Sequence, residues 1–338
     1  MTREALFYKK LEDQKVKCEL CPHHCLISDR GRGICGVREN QGGELISLVY
    51  GKLVSAQIDP IEKKPLFHFL PGSTTYSIAT VGCNFRCDFC QNFGISQSPR
   101  DKKVIVGQET SPEQIVEAAL ESKTLSISYT YTEPTIYYEY ALDCAKLARE
   151  KGLKNIFITN GYIDPAPLEA IAPYLDAANI DLKSFRDDFY RKICGGQLMP
   201  VLETIKLMKK LKIWIEVTTL IIPGVNDSLE ELAEIAGFIR GLGEETPWHV
   251  SGFYPANKML DRPPTPASAL SKAREIGLKS GLQYVYAGNV PIPEGEDTLC
   301  PQCGKPLITR AQFRTWSNLV NEKGGCPACQ KSIAGVWR

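Results

Sequence analysis

Cys83-Asn84-Phe85-Arg86-Cys87-Asp88-Phe89-Cys90 sets three thiols at a CxxxCxxC spacing. Three thiolates hold three irons of a four-iron cluster and leave the fourth without a protein ligand, and substrate chemistry at a metal needs such an open position. Zinc is the competing occupant, whereas a closed electron carrier would want a fourth cysteine. Two other sets are complete quartets. Cys300-Pro-Gln-Cys303 and Cys326-Pro-Ala-Cys329 are CxxC knuckles 22 residues apart, a zinc-ribbon or rubredoxin-like spacing that does not choose between zinc and iron. Cys18, Cys21, Cys25 and Cys35 read CxxCxxxCx9C. They suit zinc, the preferred reading, or a closed auxiliary iron-sulfur cluster that relays electrons, with His23 and His24 as substitute ligands. Cys144 and Cys194 stand apart and read as small buried hydrophobes. Thirteen cysteines in 338 residues are too few for a disulfide scaffold, so reduced, metal-holding thiols are expected.

The elements that must position these thiols follow a repeated rhythm of a short β-branched run, a break, and ten or more residues of helical period. Strands are expected at Thr75–Thr80, Leu125–Tyr131, Asn155–Thr159, Ala177–Leu182, Ile213–Ile222, His249–Phe253 and Tyr284–Ala287. Helices are expected near Ser111–Glu121, Ile136–Lys151, Pro200–Leu211, Ser228–Gly241 and Ala267–Ser280. Ser111-Pro112, Asp227 or Ser228, and Gly152 mark helix ends. Six or seven such units predict an α/β fold, a partial (β/α)6 TIM-type barrel, with the CxxxCxxC run on the first βα loop at the end where barrel active sites sit. An N-terminal Cys-rich extension over 1–72 reads as loops pinned by metal. The core barrel spans 73–290, and a zinc-ribbon-like module at 291–338 is too small to fold well without a staple.

Forty Lys+Arg against 39 Asp+Glu leave a net charge of +1, which supplies no bulk field for nucleic acid or anionic membrane. Arg310, Arg314, Trp316 and Lys323 are too scattered to argue for nucleic acid. Neither an export signal nor a spanning segment is read, so a cytoplasmic location is expected.

The CxxxCxxC run, with Phe89 before its third cysteine, resembles the radical S-adenosylmethionine (SAM) superfamily. That resemblance implies a 4Fe-4S cluster on Cys83, Cys87 and Cys90, and SAM chelated at the open iron. One-electron reduction then yields a 5′-deoxyadenosyl radical that abstracts hydrogen from a substrate. Thr132-Glu133-Pro134 matches the superfamily's Gly-Gly-Glu-Pro-like segment, which implies that Glu133 accepts a hydrogen bond from the SAM ammonium; the bland alternative is a first-turn helix charge. Thr159-Asn160-Gly161 and Asp181-x-Lys183 resemble segments of pyruvate formate-lyase activating enzymes. The carry-over gives Thr159, Asn179 and Asp181 to a monovalent cation and Lys183 to the SAM carboxylate, with Gly288 and Asn289 beside the adenine. Ile158 and Thr218 stand where activases have an Asp and an Arg. His249 is a candidate for the SAM ribose or substrate, against a core histidine. Glu62-Lys63-Lys64 reads by default as solvated charge, with closure over the barrel mouth as the alternative.

The end-to-end resemblance is to the radical SAM proteins of the AmmeMemoRadiSam system, carried by the Cys18–Cys25 run, Asp59–Pro65, Tyr129–Pro134, Trp248-His249 and the C-terminal pairs. It implies SAM, a reducing donor such as flavodoxin or ferredoxin, anaerobic operation, and association with Memo-like and AMMECR1-like proteins. It leaves the substrate open between a small molecule and a macromolecule, with a glycyl-radical-enzyme activase as the nearest alternative. A metal-bound electron carrier or adaptor without SAM chemistry is the alternative of another class.

Overall fold

The computed structural model describes residues 2–337. Its centre is an eight-stranded sheet of β1 (Ser55–Pro60), β2 (Thr74–Ala79), β3 (Ser126–Tyr129), β4 (Lys154–Thr159), β5 (Ala177–Asp181), β6 (Trp214–Ile221), β7 (Trp248–Gly252) and β8 (Val285–Gly288), hydrogen-bonded in the order 8-7-6-5-4-3-2-1. Strands β2 to β8 run parallel, and β1 pairs antiparallel with β2. The parallel sheet thus has the seven expected strands, β2 to β7 each followed by a helix, and it gains an antiparallel edge from within the N-terminal 72 residues. Helices α1 (Pro112–Glu121), α2 (Tyr138–Glu150), α3 (Pro165–Ile171), α4 (Leu198–Lys210), α5 (Leu229–Leu242) and α6 (Ala267–Lys279) follow β2 to β7 in the intervening segments.

The caps explain where the helices start. Ser111 and Gln114 form a reciprocal capping box with Pro112 in the first turn. Ser228, rather than Asp227, accepts from the Glu231 N–H at 3.2 Å. Such caps are each worth about 1 kcal/mol. No helix among the described residues is long and apolar enough to cross a membrane.

The N-terminal region is more ordered than loops pinned by metal. Tyr8–Lys10, Val16–Cys18 and Leu26–Ile27 form one antiparallel sheet, and Arg3–Glu4, Glu44–Ser47 and Arg38–Gln41 another. Strands of two to four residues are too short to impose a readable period. The C-terminal Thr298–Leu299, Pro306–Ala311 and Arg314–Asn318 also form a three-stranded antiparallel sheet.

Residues 61–72 plug the sheet at the N-terminal ends of its strands. Ile61, Leu66, Phe69 and Leu70 pack against Ile156, Ala177 and Trp214, with Val336 of the C-terminal segment beside them. Each large apolar side chain so buried contributes roughly 1.5–3 kcal/mol. The plug's backbone is tied down as well, because Phe67 N and His68 N donate to the two carboxylate oxygens of Glu216 at 3.0 and 2.8 Å. From the C-terminal module, Arg310 donates to Phe67 O at 2.6 Å and lies over the Phe67 ring.

Candidate functional site

A cavity of about 620 Å³ opens at the C-terminal ends of the parallel strands. Every one of the seven contributes: Cys83, Cys87 and Cys90 after β2, Glu133 after β3, Thr159 and Asn160 at β4, Asp181 and Lys183 at β5, Thr218 on β6, Ser251 on β7, and Asn289 after β8. Thr132 and Phe89 also line it.

The cysteine loop is held by its backbone. Arg86 N and Asp88 N donate to Cys194 O and Ile193 O at 2.8 and 3.1 Å, and Arg100 and Gln97 donate to Phe85 O and Cys87 O. Gly196 lets the loop approach the 190–196 segment, since a Cβ there would lie 2.3 Å from Phe85 Cε1. Ser96 Oγ lies 3.3 Å from Cys90 Sγ, and Asn160 Nδ2 is 3.8 Å from Cys83 Sγ. All three thiols titrate above their ordinary value, Cys83 and Cys90 chiefly through burial and Cys87 chiefly through the neighbouring Cys194 thiol. They are therefore neutral until a metal supplies positive charge, and loading releases protons. Cys194 is fully buried and is not among the cavity-lining residues, so it stands behind Cys87 and leaves the cavity side of the tripod free of a fourth thiol.

Glu133 is the buried anion opposite. Its Oε1 accepts from Thr135 N, Thr135 Oγ1 and Thr159 Oγ1 at 3.0, 2.6 and 2.8 Å, and its Oε2 accepts from Asn160 N at 2.8 Å. Burial raises its pKa despite those donors, so a cation arriving at Oε2 would be welcomed by an under-compensated charge. Lys183 Nζ lies 2.8 Å from Asp181 Oδ2 and 5.8 Å from the Phe89 ring centroid. Burial opposes its charge, but the Asp181 carboxylate leads the interactions that outweigh burial and raise its pKa well above the ordinary lysine value. The cavity thus pairs a carboxylate with an ammonium on strands two apart, a match for a ligand bearing both an amine and a carboxylate.

Other expected residues are placed differently. Asn179 spends its side chain on Pro65 O and Thr218 Oγ1, at 2.8 and 2.9 Å, and is not among the lining residues. His249 is also outside the lining: buried, it bonds Glu216 Oε2 at 2.6 Å and stacks on Tyr286, the arrangement of a satisfied core histidine. Gly288 ends β8, and a Cβ there would meet nothing within 4 Å, so close approach by the protein does not require glycine. Asn289 reaches back to Gly252 N and O at 2.7 and 2.8 Å, which fixes the rim of the cavity.

The default of solvated charge holds for Lys63, which is exposed, and is overturned for Glu62 and Lys64. Glu62 is 1% exposed and accepts from Gly72 N and Thr315 Oγ1, both at 2.7 Å. Lys64 is 2% exposed, bonds Asp59 at 2.7 Å and lies over the Tyr131 ring. Burial pushes the Lys64 pKa down to about 8 against the pull of Asp59. Lys63 and Lys64 both line the cavity, as does Tyr131, whose φ of +62° is an uncommon conformation for a bulky residue. Tyr131 is given no role by the sequence, and Lys64 enters only through the alternative reading of its segment, for which the flanking Pro60 and Pro65 are the signal.

The C-terminal quartet is gathered for a single ion, with the four ligand sulfurs of Cys300, Cys303, Cys326 and Cys329 within 4.8 Å of one another. At the N-terminal quartet His23 Nε2 is spent on Asn84 O at 2.8 Å and His24 Nε2 on Asp164 at 2.7 Å. The Nε2 atoms of both histidines are thus engaged away from the quartet.

Comparison with known proteins bears directly on this geometry. Residues 77–238 match the family model of the radical SAM superfamily. The chain carries a radical SAM domain. This radical SAM protein is 52% identical to an uncharacterized protein of Methanocaldococcus jannaschii over 98% of both chains. It is also homologous to the pyruvate formate-lyase-activating enzyme of Clostridium pasteurianum, at 24% identity over 68% of this chain and 98% of that one. In fold it is similar to a radical SAM methyltransferase from Sphaerobacter thermophilus, with a TM-score of 0.52 and 15% identity over 85% of this chain and 76% of the other. The domain implies a 4Fe-4S cluster, SAM and radical chemistry, and the open tripod facing a carboxylate and an ammonium fits both groups.

Proposed function

We propose that the cavity binds SAM at a 4Fe-4S cluster held by Cys83, Cys87 and Cys90, with the Glu133 carboxylate receiving the ammonium of SAM and Lys183 its carboxylate. When bound, these groups supply reductive cleavage of SAM to a 5′-deoxyadenosyl radical, which takes hydrogen from a substrate. The observation that carries this reading is the single cavity that joins the three thiols to Glu133 and Lys183. Phe89, Thr132, Thr159, Asn160 and Asn289 shape the pocket around SAM, and Thr159 and Asp181 remain the cavity's oxygens for a cation. Lys64 and Tyr131 close the floor and exclude water, which keeps a radical from side reactions.

The seven strand ends meeting round one cavity support a partial barrel over 73–290, flanked by a Cys-rich region at 1–72 and a four-Cys module at 291–338 that holds zinc. In this reading the protein works anaerobically in the cytoplasm with a flavodoxin- or ferredoxin-type donor. It acts within an AmmeMemoRadiSam system alongside Memo-like and AMMECR1-like proteins, modifying a small molecule or a macromolecule. A glycyl-radical-enzyme activase is the second reading, favoured by the homology to the Clostridium pasteurianum enzyme. Anaerobically reconstituted protein given SAM and dithionite should form 5′-deoxyadenosine and methionine, and Cys83→Ala should form neither. An intact cluster that yields no 5′-deoxyadenosine would decide for an electron carrier instead.

A further inference from the structure

We infer that Cys18, Cys21, Cys25 and Cys35 hold a second, fully ligated iron-sulfur cluster rather than zinc, seated against the SAM-side cysteine loop as an electron entry point. The inference deepens the proposed radical SAM reading and rests on it for the direction of electron flow.

The four cysteines form a common site. Cys21 lies close enough to feel the charge of Cys18, Cys25 and Cys35. Each sulfur has a donor aimed at it: Arg38 Nη1 on Cys18 and Ile34 N on Cys25, both at 3.4 Å, His23 N on Cys21 and Val37 N on Cys35. Donors of this kind stabilise thiolate ligands and tune a cluster's potential. Arg38 is 1% exposed, and its ion pair with Glu139 anchors a buried positive charge beside Cys18. The Nε2 atoms of His23 and His24 are engaged elsewhere, and the four thiols supply a complete ligand set by themselves.

Spacing separates a cluster from a single ion. The C-terminal quartet has its sulfurs within 4.8 Å of one another, the reach of one tetrahedral ion, with Cys300 and Cys329 Sγ 3.5 Å apart. Among the described residues, the N-terminal quartet does not meet that criterion, nor does the Cys83, Cys87 and Cys90 tripod. The N-terminal site therefore shares the wider setting of the cluster-binding thiols.

Position supplies the redox role. His23, two residues from Cys21, bonds the carbonyl of Asn84, next to Cys83. A Cβ at Gly82 would lie 2.6 Å from Val37 Cγ1 and 3.3 Å from Cys35 O, so the chain bearing the fourth cysteine rests on the residue preceding the tripod. One electron from a low-potential donor reduces the N-terminal cluster and passes to the SAM-side cluster. From there it enters the sulfonium carbon–sulfur bond, which breaks to methionine and the adenosyl radical.

The test uses the full chain, reconstituted anaerobically with iron and sulfide. With Cys83, Cys87 and Cys90 all changed to Ala, iron and acid-labile sulfide should remain, and dithionite should produce an EPR signal indifferent to SAM. Conversely, Cys25→Ser should lose the N-terminal iron and keep a signal that SAM perturbs, which guards against misfolding of the triple variant. Wild-type protein, fully reduced, should show the broadening of two neighbouring paramagnets, absent from both variants. Zinc in the triple variant, or no metal there while Cys25→Ser keeps the full wild-type iron content, would overturn the inference. Failure of the radical SAM reading is separate, since it would appear as a Cys25→Ser signal that SAM leaves unchanged.

Discussion

Replacing Glu133 by Gln keeps the shape of the side chain and deletes its charge. Of the two carboxylate oxygens, Oε1 is saturated by Thr135 and Thr159, whereas Oε2 has Asn160 N alone and retains capacity for a cationic donor. A hydrogen bond to a charged group is worth about 1.5–3 kcal/mol, and tenfold in affinity corresponds to about 1.4 kcal/mol. Glu133→Gln should therefore weaken SAM binding roughly 10- to 150-fold. A fold cost accompanies it: whichever way the amide turns, its NH₂ meets the Asn160 or the Thr135 N–H, leaving a buried donor unpaired at about 1–3 kcal/mol. The assay titrates SAM into reconstituted protein and follows the change in the cluster's EPR signal, with iron content and urea midpoint as controls. A dissociation constant within threefold of wild type, at full iron content, would remove Glu133 from the SAM site.

Three further outcomes are expected. His68 is fully buried, with Nδ1 on Ala334 O and Nε2 on the Tyr286 hydroxyl, and burial pushes its pKa down to about 4. The unfolded chain, near 6.5, binds the proton more readily, so this stabilisation is complete above about pH 6.5 and falls by up to about 3 kcal/mol as pH approaches 4; urea midpoints that stay level across that window would refute it. Cys194→Ala removes the neighbour that chiefly holds the Cys87 thiol above its ordinary pKa, so in metal-free protein Cys87 should be alkylated faster at a given pH; an unchanged alkylation rate would count against it. Cys326→Ser should cost one metal ion per chain by elemental analysis and lower the thermal midpoint of the C-terminal module; undiminished metal would show that this quartet is not the binding site.

Much of the core was legible because its signals are local. The expected strands match β2 to β8 to within a residue or two at most ends, since β-branched runs between Gly, Pro and polar breaks leave few alternatives. The tripod, Glu133 and Lys183 were readable as strand-end residues for the same reason. What escaped depends on pairing across the fold. Lys64 looks solvated until Asp59 and Tyr131 are seen beside it, and Glu62 until Thr315 arrives from 253 positions away. His249 and Asn179 sit on the right strands, yet Glu216 and Pro65 claim them first. Residues 66–70 are apolar but aperiodic, so nothing in their order announces that they fill the bottom of the sheet.

That filling turns the molecule into a cup with one rim. Glu216 and Arg310 stitch its base to the two backbone amides and the carbonyl of the same short segment, so nothing enters or departs from beneath. Whatever the cavity takes up or releases therefore passes the rim formed by the strand ends, where Lys183, Ser251 and Asn289 stand.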